Sequence, residues 1–389
     1  MHEYRTPNTE YRTLSTEHRV PNTEYRTLST ESGIVGLPNA GKSTLFNALT
    51  AAGVPAEAYP FTTIDPNVGV VEVRDPRLDR LYERVGARRK VPAVVEFVDI
   101  AGLVEGAHRG EGLGNRFLGH IREVDAVVHV VRCFEDPNVA HPLGSVDPVR
   151  DVEIVQTELI LADLETVQRR LEDRERLARS GGREAGAEVE LLGRLRDALG
   201  AGRPARRLPV SEGEEAIVRS LFLLTRKPVL YVANVEETAL IRDDAYVAAL
   251  RDAVDPEPVL PLACRLEEEL LALEPSERGE YLAAAGLEAP GIERLVRATY
   301  DLLGLISFFT FNEKEARAWT VARGTPAVRA AGLVHSDFET GFIRAEAVSC
   351  ADFERAGSMK AARDRGLVRA EGRDYVVQDG DILLFHARS

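Results

Sequence analysis

Gly36-Leu37-Pro38-Asn39-Ala40-Gly41-Lys42-Ser43-Thr44 has the spacing G-x-x-x-x-G-K-[ST], and its chemistry is the binding of a phosphate chain. In such a loop successive backbone N–H groups wrap the phosphates, and glycines let the main chain come close. Lys42 supplies a positive charge at the β and γ phosphates, and the Ser43 hydroxyl can ligate Mg²⁺. Ile34-Val35 ends an apolar strand before the loop, and Leu45-Phe46-Asn47-Ala48-Leu49 opens a helix after it. That order points the positive end of a helix at the anion.

Three further segments carry chemistry that a phosphate site needs. Asp99-Ile100-Ala101-Gly102 reads D-x-x-G behind an apolar run, 57 residues after Lys42. Its aspartate can hold the Mg²⁺ shell through water. Between the two, Pro60-Phe61-Thr62-Thr63-Ile64-Asp65-Pro66-Asn67 offers Thr63, ahead of Thr62, as a metal and γ-phosphate ligand; ordinary turn threonines are the alternative. Asn234-Val235-Glu236-Glu237 stands where GTP-binding proteins carry N-K-x-D, whose aspartate reads guanine. Val235 and Glu237 replace the lysine and the aspartate, which favours adenine over guanine. Gly102 to Gly119 is glycine-rich and reads as a loop ordered by the γ-phosphate. Leu103 occupies the position of the water-orienting glutamine of Ras-like enzymes, so another group must place the water.

These residues need a scaffold that brings strand ends together. Ala93–Val98, Ala126–Val131, Val229–Ala233 and Val259–Leu262 are short apolar runs separated by helical patterns, the signature of an α/β fold with a mainly parallel sheet. Ligands bind at the carboxyl ends of such strands, and Asp99, Asn234 and Ala263-Cys264 all lie there. The chain has 389 residues, 44% of them hydrophobic and 29% charged. It lacks an 18-residue apolar run, and so a membrane span. Cys133, Cys264 and Cys350 are widely spaced without a C-x-x-C pair, which points to a reducing cytoplasm and away from disulfides or zinc. A net charge of −14 argues against indiscriminate nucleic-acid binding, DNA included.

Residues 1–31 differ from the rest. Pro7 to Glu17 recurs unchanged as Pro21 to Glu31. A polar eleven-residue repeat without apolar period cannot fold alone; it reads as a disordered leader, an expression-derived extension or a misplaced start, part of which begins the first strand. Ile160, Leu164, Val167 and Leu171, then Leu192, Leu195 and Leu199, carry helical spacing and predict an antiparallel helical arm. Ser211 and Glu214 form a capping box ahead of Ile217. Asp163 to Arg207 holds 11 arginines against 9 acids, compatible with an RNA-facing arm or with a solvated helix surface. From about Leu305 the runs Arg317–Val321, Phe342–Ala345, Tyr375–Val377 and Ile382–Phe385 suggest a small mixed sheet with one helix, serving either to bind RNA or a regulator or as a stabilising lid.

Taken together, these motifs resemble the Obg-like ATPase (YchF) family. The likeness runs from about Gly33 to the end and includes Gly110–Asn115, Val130–Glu135, Arg317–Thr320, Asp337–Ala345 and Val377–Asp381. It implies a P-loop NTPase with a discontinuous nucleotide domain (32–140 and 226–304), a helical coiled-coil insertion (141–225) and a C-terminal β-grasp-like TGS domain (305–389). It further implies Mg²⁺-dependent ATP hydrolysis and a ribosomal partner including rRNA. The oligomeric state is open in the sequence, with a monomer favoured. By position, Asn39, Ala40, Gly41, Lys42, Ser43 and Thr44 would hold phosphates; Ser43, Thr63 and Asp99 would hold Mg²⁺; Val235 would meet adenine through its backbone. His141, in a turn-rich loop expected to be exposed and mobile, would replace the missing glutamine. Otherwise it is an inert loop histidine. His108 and His120 are lesser candidates, and His129 reads as a core histidine. Two departures stand out: Ala40 replaces a valine, and Ala263-Cys264 replaces a Ser-Ala pair beside the base. Cys264 is then either oxidation-sensitive or simply a small buried side chain. The runner-up readings are a nucleotide-gated binding module with incidental turnover and a GTP-preferring enzyme.

Overall fold

The computed structural model describes residues 31–53, 67–100, 113–179, 183–242 and 244–388. In chain order the strands are β1 (Glu31–Val35), β2 (Val68–Val73), β3 (Arg89–Val91), β4 (Ala93–Asp99), β5 (Ala126–Arg132), β6 (Val229–Asn234), β7 (Val259–Leu262), β8 (Leu305–Phe311), β9 (Glu315–Ala322), β10 (Phe342–Ser349), β11 (Arg369–Glu371) and β12 (Asp381–Ala387). They make two six-stranded sheets. The first has the order β2-β4-β1-β5-β6-β7, parallel except for β2, which runs antiparallel to β4. Asp99 and Asn234 are the last residues of β4 and β6, so the expected strand ends converge.

Both faces of this sheet are covered, which is why its strands read as mainly apolar runs and not as an alternation. On one side α1 (Lys42–Ala52), α2 (Pro76–Val85) and α10 (Gly291–Leu302) bury Leu45, Leu78 and Leu295 against Phe97, Val130 and Val232. On the other, α3 (Leu113–Glu123), α4 (Pro148–Arg179) and α7 (Ala245–Val254) bury Phe117, Val155 and Leu250 against Val35, Val127 and Val131. Among the described residues no helix is long and apolar enough to cross a membrane.

β1 begins at Glu31, the last residue of the repeat. In register Glu31 lies beside Glu96 on β4. Glu96 is buried, with one carboxylate oxygen lacking a partner, and desolvation plus the Glu31 charge push its pKa up to about 7. A carboxyl group whose folded pKa is raised stabilises the fold when protonated, and that contribution is lost as pH rises from about 4.5 through 7. Glu96→Gln should therefore gain about 3 kcal/mol over the parent at pH 8 and less than about 1 kcal/mol at pH 5. Urea unfolding midpoints at the two pH values check this; an equal difference at both would sink it.

The arm is α4 packed on α5 (Arg183–Gly200) with α6 (Glu212–Ser220). Val167, Leu171, Leu192, Leu195 and Leu199 form its core, with Leu164 partly buried beside them. The two helices run antiparallel, and Arg170 and Arg174 on α4 both reach Glu188 near the start of α5. The Ser211–Glu214 capping box is formed. Asp163 pins the arm to the sheet: its buried carboxylate accepts from the N–H groups of Leu224 (2.8 Å) and Thr225 (2.7 Å) and from the Thr225 hydroxyl (2.6 Å), four residues before β6. Nine of the eleven arginines between 163 and 207 sit in ion pairs with nearby acids, such as Arg169–Glu165, Arg194–Glu214 and Arg206–Glu257. Surface pairs of this kind add little stability, yet they neutralise the arm. The solvated-surface reading fits it better than the RNA-facing one.

The second sheet has the order β11-β10-β12-β8-β9-β3. Its edge strand β3 comes from the nucleotide-binding half and pairs parallel to β9. Three residues, two of them charged, carry no strand signature, so this crossing was not visible beforehand. Instead of one helix, four short ones accompany the sheet, at Ala327–Val334, Ser336–Thr340, Cys350–Ala356 and Met359–Asp364; helices of five to eight residues are too brief to show a 3.6-residue period. Tyr375–Val377 is not a strand. It is clipped onto the 325–327 turn by Ala327 N–H to Tyr375 O (2.7 Å) and Val377 N–H to Thr325 O (3.0 Å). The two halves share one core, in which Leu305, Phe309 and Ile382 meet Leu78 and Leu295. Arg77 clamps the junction, bonding both Asp75 and Asp379.

Candidate functional site

At the carboxyl ends of the first sheet the chain turns sharply between β1 and α1. Gly36 adopts φ 150°, and a Cβ there would lie 2.3 Å from the Val130 carbonyl oxygen. Asn39 takes φ 62° and Gly41 φ 103°. The first-turn N–H groups of α1 have no acceptor within the helix, and they face a cleft of about 850 Å³. Lys42 opens the helix with its buried ammonium on the Leu37 carbonyl oxygen (2.8 Å). Burial lowers its pKa from the usual lysine value, and the Asp99 charge opposes that shift. Asp99 shows the converse: burial raises its carboxyl pKa while Lys42 lowers it. The two groups thus act on each other through charge, while Asp99 itself does not border the cleft.

The second wall is built around Asn234. Its side chain is 5% exposed; the amide NH₂ donates to the Ala40 carbonyl (2.9 Å) and the amide oxygen accepts from the Cys264 N–H (3.1 Å). Asn234 therefore ties the phosphate loop to the β7–α8 turn, α8 being Cys264–Leu271. Both ends of its amide are thus engaged within the protein, which leaves nearby backbone to meet a base. Val235 and Ala263 are buried beside it. Glu237 borders the cleft and accepts a hydrogen bond from Tyr281 Oη (2.7 Å) on α9 (Pro275–Ala284). Cys264 is 1% exposed, and burial pushes its thiol pKa well up. It is the small buried side chain and not a reactive thiol.

Of the residues expected from sequence, Asn39, Gly41, Lys42, Ser43, Thr44, Asn234, Val235, Glu237, Ala263 and Cys264 border one cleft. Ala40 contributes through its carbonyl. Thr63, Leu103 and His108 lie outside the described residues. His120 is exposed on α3, while His129 is buried and its charged form strongly disfavoured by desolvation, as a core histidine should be.

His141 differs from expectation. Its side chain is 5% exposed, not exposed and mobile, because Nε2 lies 2.8 Å from Asp151 Oδ2 and Nδ1 accepts from the Leu143 N–H (3.1 Å). It does not border the cleft in this conformation. The carboxylate that buries it stands ten residues later on α4, beyond the reach of a local reading.

The third wall went unrecognised. Phe134, Glu135, Pro137 and Val139 follow β5 and line the cleft. Arg132 beneath them is buried, stacks on the Phe134 ring at 4.7 Å and donates to the Phe134 and Val139 carbonyls. An arginine ending an otherwise apolar strand was the available signal.

Ser43 and Asp99 supply a hydroxyl and a carboxylate, hard oxygens that suit Mg²⁺ sharing its shell with phosphates and water. Among the described residues no cluster of three or more His, Cys, Asp or Glu side chains is arranged for a metal.

Residues 31–167 match the family model MMR_HSR1, described as a 50S ribosome-binding GTPase, and residues 305–388 match YchF-GTPase_C, described as a protein of unknown function (DUF933). A Bacillus subtilis protein named ribosome-binding ATPase YchF is 49% identical over 358 residues, covering 91% of this chain and 98% of its own. One of the same name from Escherichia coli O157:H7 is 47% identical at the same coverage. Among solved structures, the Schizosaccharomyces pombe YchF GTPase superposes with a TM-score of 0.84 at 36% identity, over 92% of this chain and 98% of that one. A Pyrococcus horikoshii GTP-binding protein, at 22% identity and a TM-score of 0.56, shares the fold. Phosphate loop, strand-end geometry and near end-to-end likeness agree, and the chain belongs to the YchF family.

Proposed function

We propose that this protein is a Mg²⁺-dependent ATPase that acts as a nucleotide switch on the ribosome in the cytoplasm, regulating translation or its response to stress. The observation that carries the reading is a single cleft bordered by Lys42, Ser43 and Thr44 of the phosphate loop and by Val235 and Glu237 after β6, with Asp99 at the end of β4 acting on Lys42 through its charge. The phosphate end can serve any nucleoside triphosphate. At the base end no aspartate stands at the guanine-reading position, and Glu237 is engaged by Tyr281, so a purine must be met by backbone at Val235 and Ala263. Mg²⁺ would be held by Ser43, by Thr63 and, through water, by Asp99; when bound it neutralises charge developing on the phosphates. His141 supplies the base for the attacking water once its loop turns its ring into the cleft.

Relatives named ATPase and GTPase both exist, so base choice is the first test. ATP should bind more tightly than GTP by roughly tenfold or more, the difference one well-placed hydrogen bond makes. Glu237→Asp should narrow that gap by improving GTP. Titration of both nucleotides with Mg²⁺ decides it, and tighter GTP binding by the parent protein defeats the adenine reading. A ribosomal role predicts nucleotide-dependent cosedimentation with ribosomes; cosedimentation indifferent to nucleotide would instead favour a binding module with incidental turnover.

A further inference from the structure

Residues 133–147 connect β5 to α4 and pass beside the phosphate loop. Three side chains hold them in place. Arg132 bonds the carbonyls of Phe134 (3.1 Å), Val139 (2.9 Å) and Asp136 (3.4 Å). Asn39, from the phosphate loop, donates its amide to the Ala140 carbonyl (2.9 Å). Asp151, in the first turn of α4, then takes the His141 ring from the far side (2.8 Å). Because Nδ1 accepts the Leu143 N–H, the ring proton sits on Nε2 and is donated to Asp151. The other Asp151 oxygen is engaged by Arg150 Nη2 (3.0 Å).

The two contacts on His141 are not equal. Asp151 is buried, charged and rooted in a 32-residue helix. The Leu143 N–H is a neutral donor on an exposed turn. If the loop moves, the Leu143 contact yields first and the charge-assisted one persists. We propose that Asp151 is the positioning residue for hydrolysis, fixing His141 as the Nε2–H tautomer so that Nδ1 is the nitrogen that takes the proton. The inference rests on the reading of His141 as the base. In the step, Nδ1 accepts a proton from water and the water oxygen bonds to the γ-phosphorus. The bond to the β–γ bridging oxygen breaks, and its electron pair leaves with ADP. Asp151 balances the imidazolium until the proton passes to solvent. This is the division of labour of a histidine–carboxylate pair, in which the acid orients and compensates without itself taking the proton.

The charged and titratable groups around the ring are Arg150 and Asp151 in the first turn of α4 and Asp147 just before it, with Cys133, just after β5, in electrostatic reach of Asp151 and of Asp244. Removing the Asp151 charge leaves Arg150 nearby, so the imidazolium should become harder to form.

The test uses the full-length protein with Mg²⁺-ATP and the variants Asp151→Asn, Asp151→Glu, His141→Ala and the Asp151→Asn/His141→Ala double. Asp151→Asn keeps shape and should fold. It should lower kcat by roughly 10–100-fold with KM little changed. It should also move the acid limb of the pH–rate profile to lower pH. The same shift should appear in the NMR titration of the His141 ring in nucleotide-free protein, a readout independent of turnover. Asp151→Glu should recover part of the loss, and the double variant should be no slower than His141→Ala, since the two act as one unit. Unchanged or raised kcat in Asp151→Asn, with His141→Ala impaired, overturns the assignment of Asp151 alone. Full turnover in His141→Ala overturns the base itself and this inference with it.

Discussion

Lys42→Met should reduce ATP turnover by roughly 10²–10³-fold, the loss expected when one preorganised charge is removed from a transition state. It should also leave the nucleotide-free protein as stable as the parent or more so. The pairing of those two results is the point. The ammonium is buried against the Leu37 carbonyl, and desolvation holds its pKa below the usual lysine value despite Asp99. A lysine whose folded pKa is lowered binds its proton less tightly in the fold than in the unfolded chain. It therefore works against stability at neutral pH and does so less as pH rises toward the unfolded value. Methionine keeps the length of the side chain and removes the charge. A protein that evolved only to fold would not keep this lysine; one that must meet a triphosphate would. Turnover assays and urea unfolding without nucleotide check both halves. A clear loss of stability in Lys42→Met would mean that the lysine is structural, and the phosphate reading would lose its strongest residue.

The phosphate loop was legible because its chemistry is local: nine consecutive residues fix the turn, the glycines and the helix start. Strand ends were legible too, since unbroken apolar runs such as Val229–Ala233 can only be buried strands here. What escaped were contacts made by residues distant in sequence. Asn234 could be placed at a strand end, but its partners, Ala40 and Cys264, lie 194 and 30 residues away. His141 looked exposed because its neighbours are turn formers; Asp151 buries it from a helix that starts at Pro148. Glu237 and Glu135 are held by tyrosines from α9 and α7, contacts that no local pattern announces. β3 was hidden by brevity and by charge. In each case residue type set what was possible, and tertiary pairing chose.

Pairing also explains why the phosphate loop and the base wall act as one body, and it makes Asn234→Ala the second large effect. Asn234 leaves the Ala40 carbonyl and the Cys264 N–H each with a partner in a dry site. Truncation strands both, at a cost of about 1–3 kcal/mol apiece, and frees the two walls to drift. If the residue is a brace, ATP and GTP should lose affinity by the same factor, because what fails is the register of the loop and not the reading of the base. A residue that read adenine directly would weaken ATP selectively, and that result would remove the brace. Gly41 supplies an independent check. A Cβ at Gly41 would lie 2.2 Å from the Asn234 amide nitrogen, so Gly41→Ala alone must push Asn234 off Ala40 as well as strain a φ of 103°. With Asn234 already truncated that clash is gone. The Gly41→Ala/Asn234→Ala double should then be clearly more stable than the sum of the single losses implies, the non-additivity expected of residues in contact. Strict additivity would place the two side chains in separate roles, contrary to the geometry that joins them.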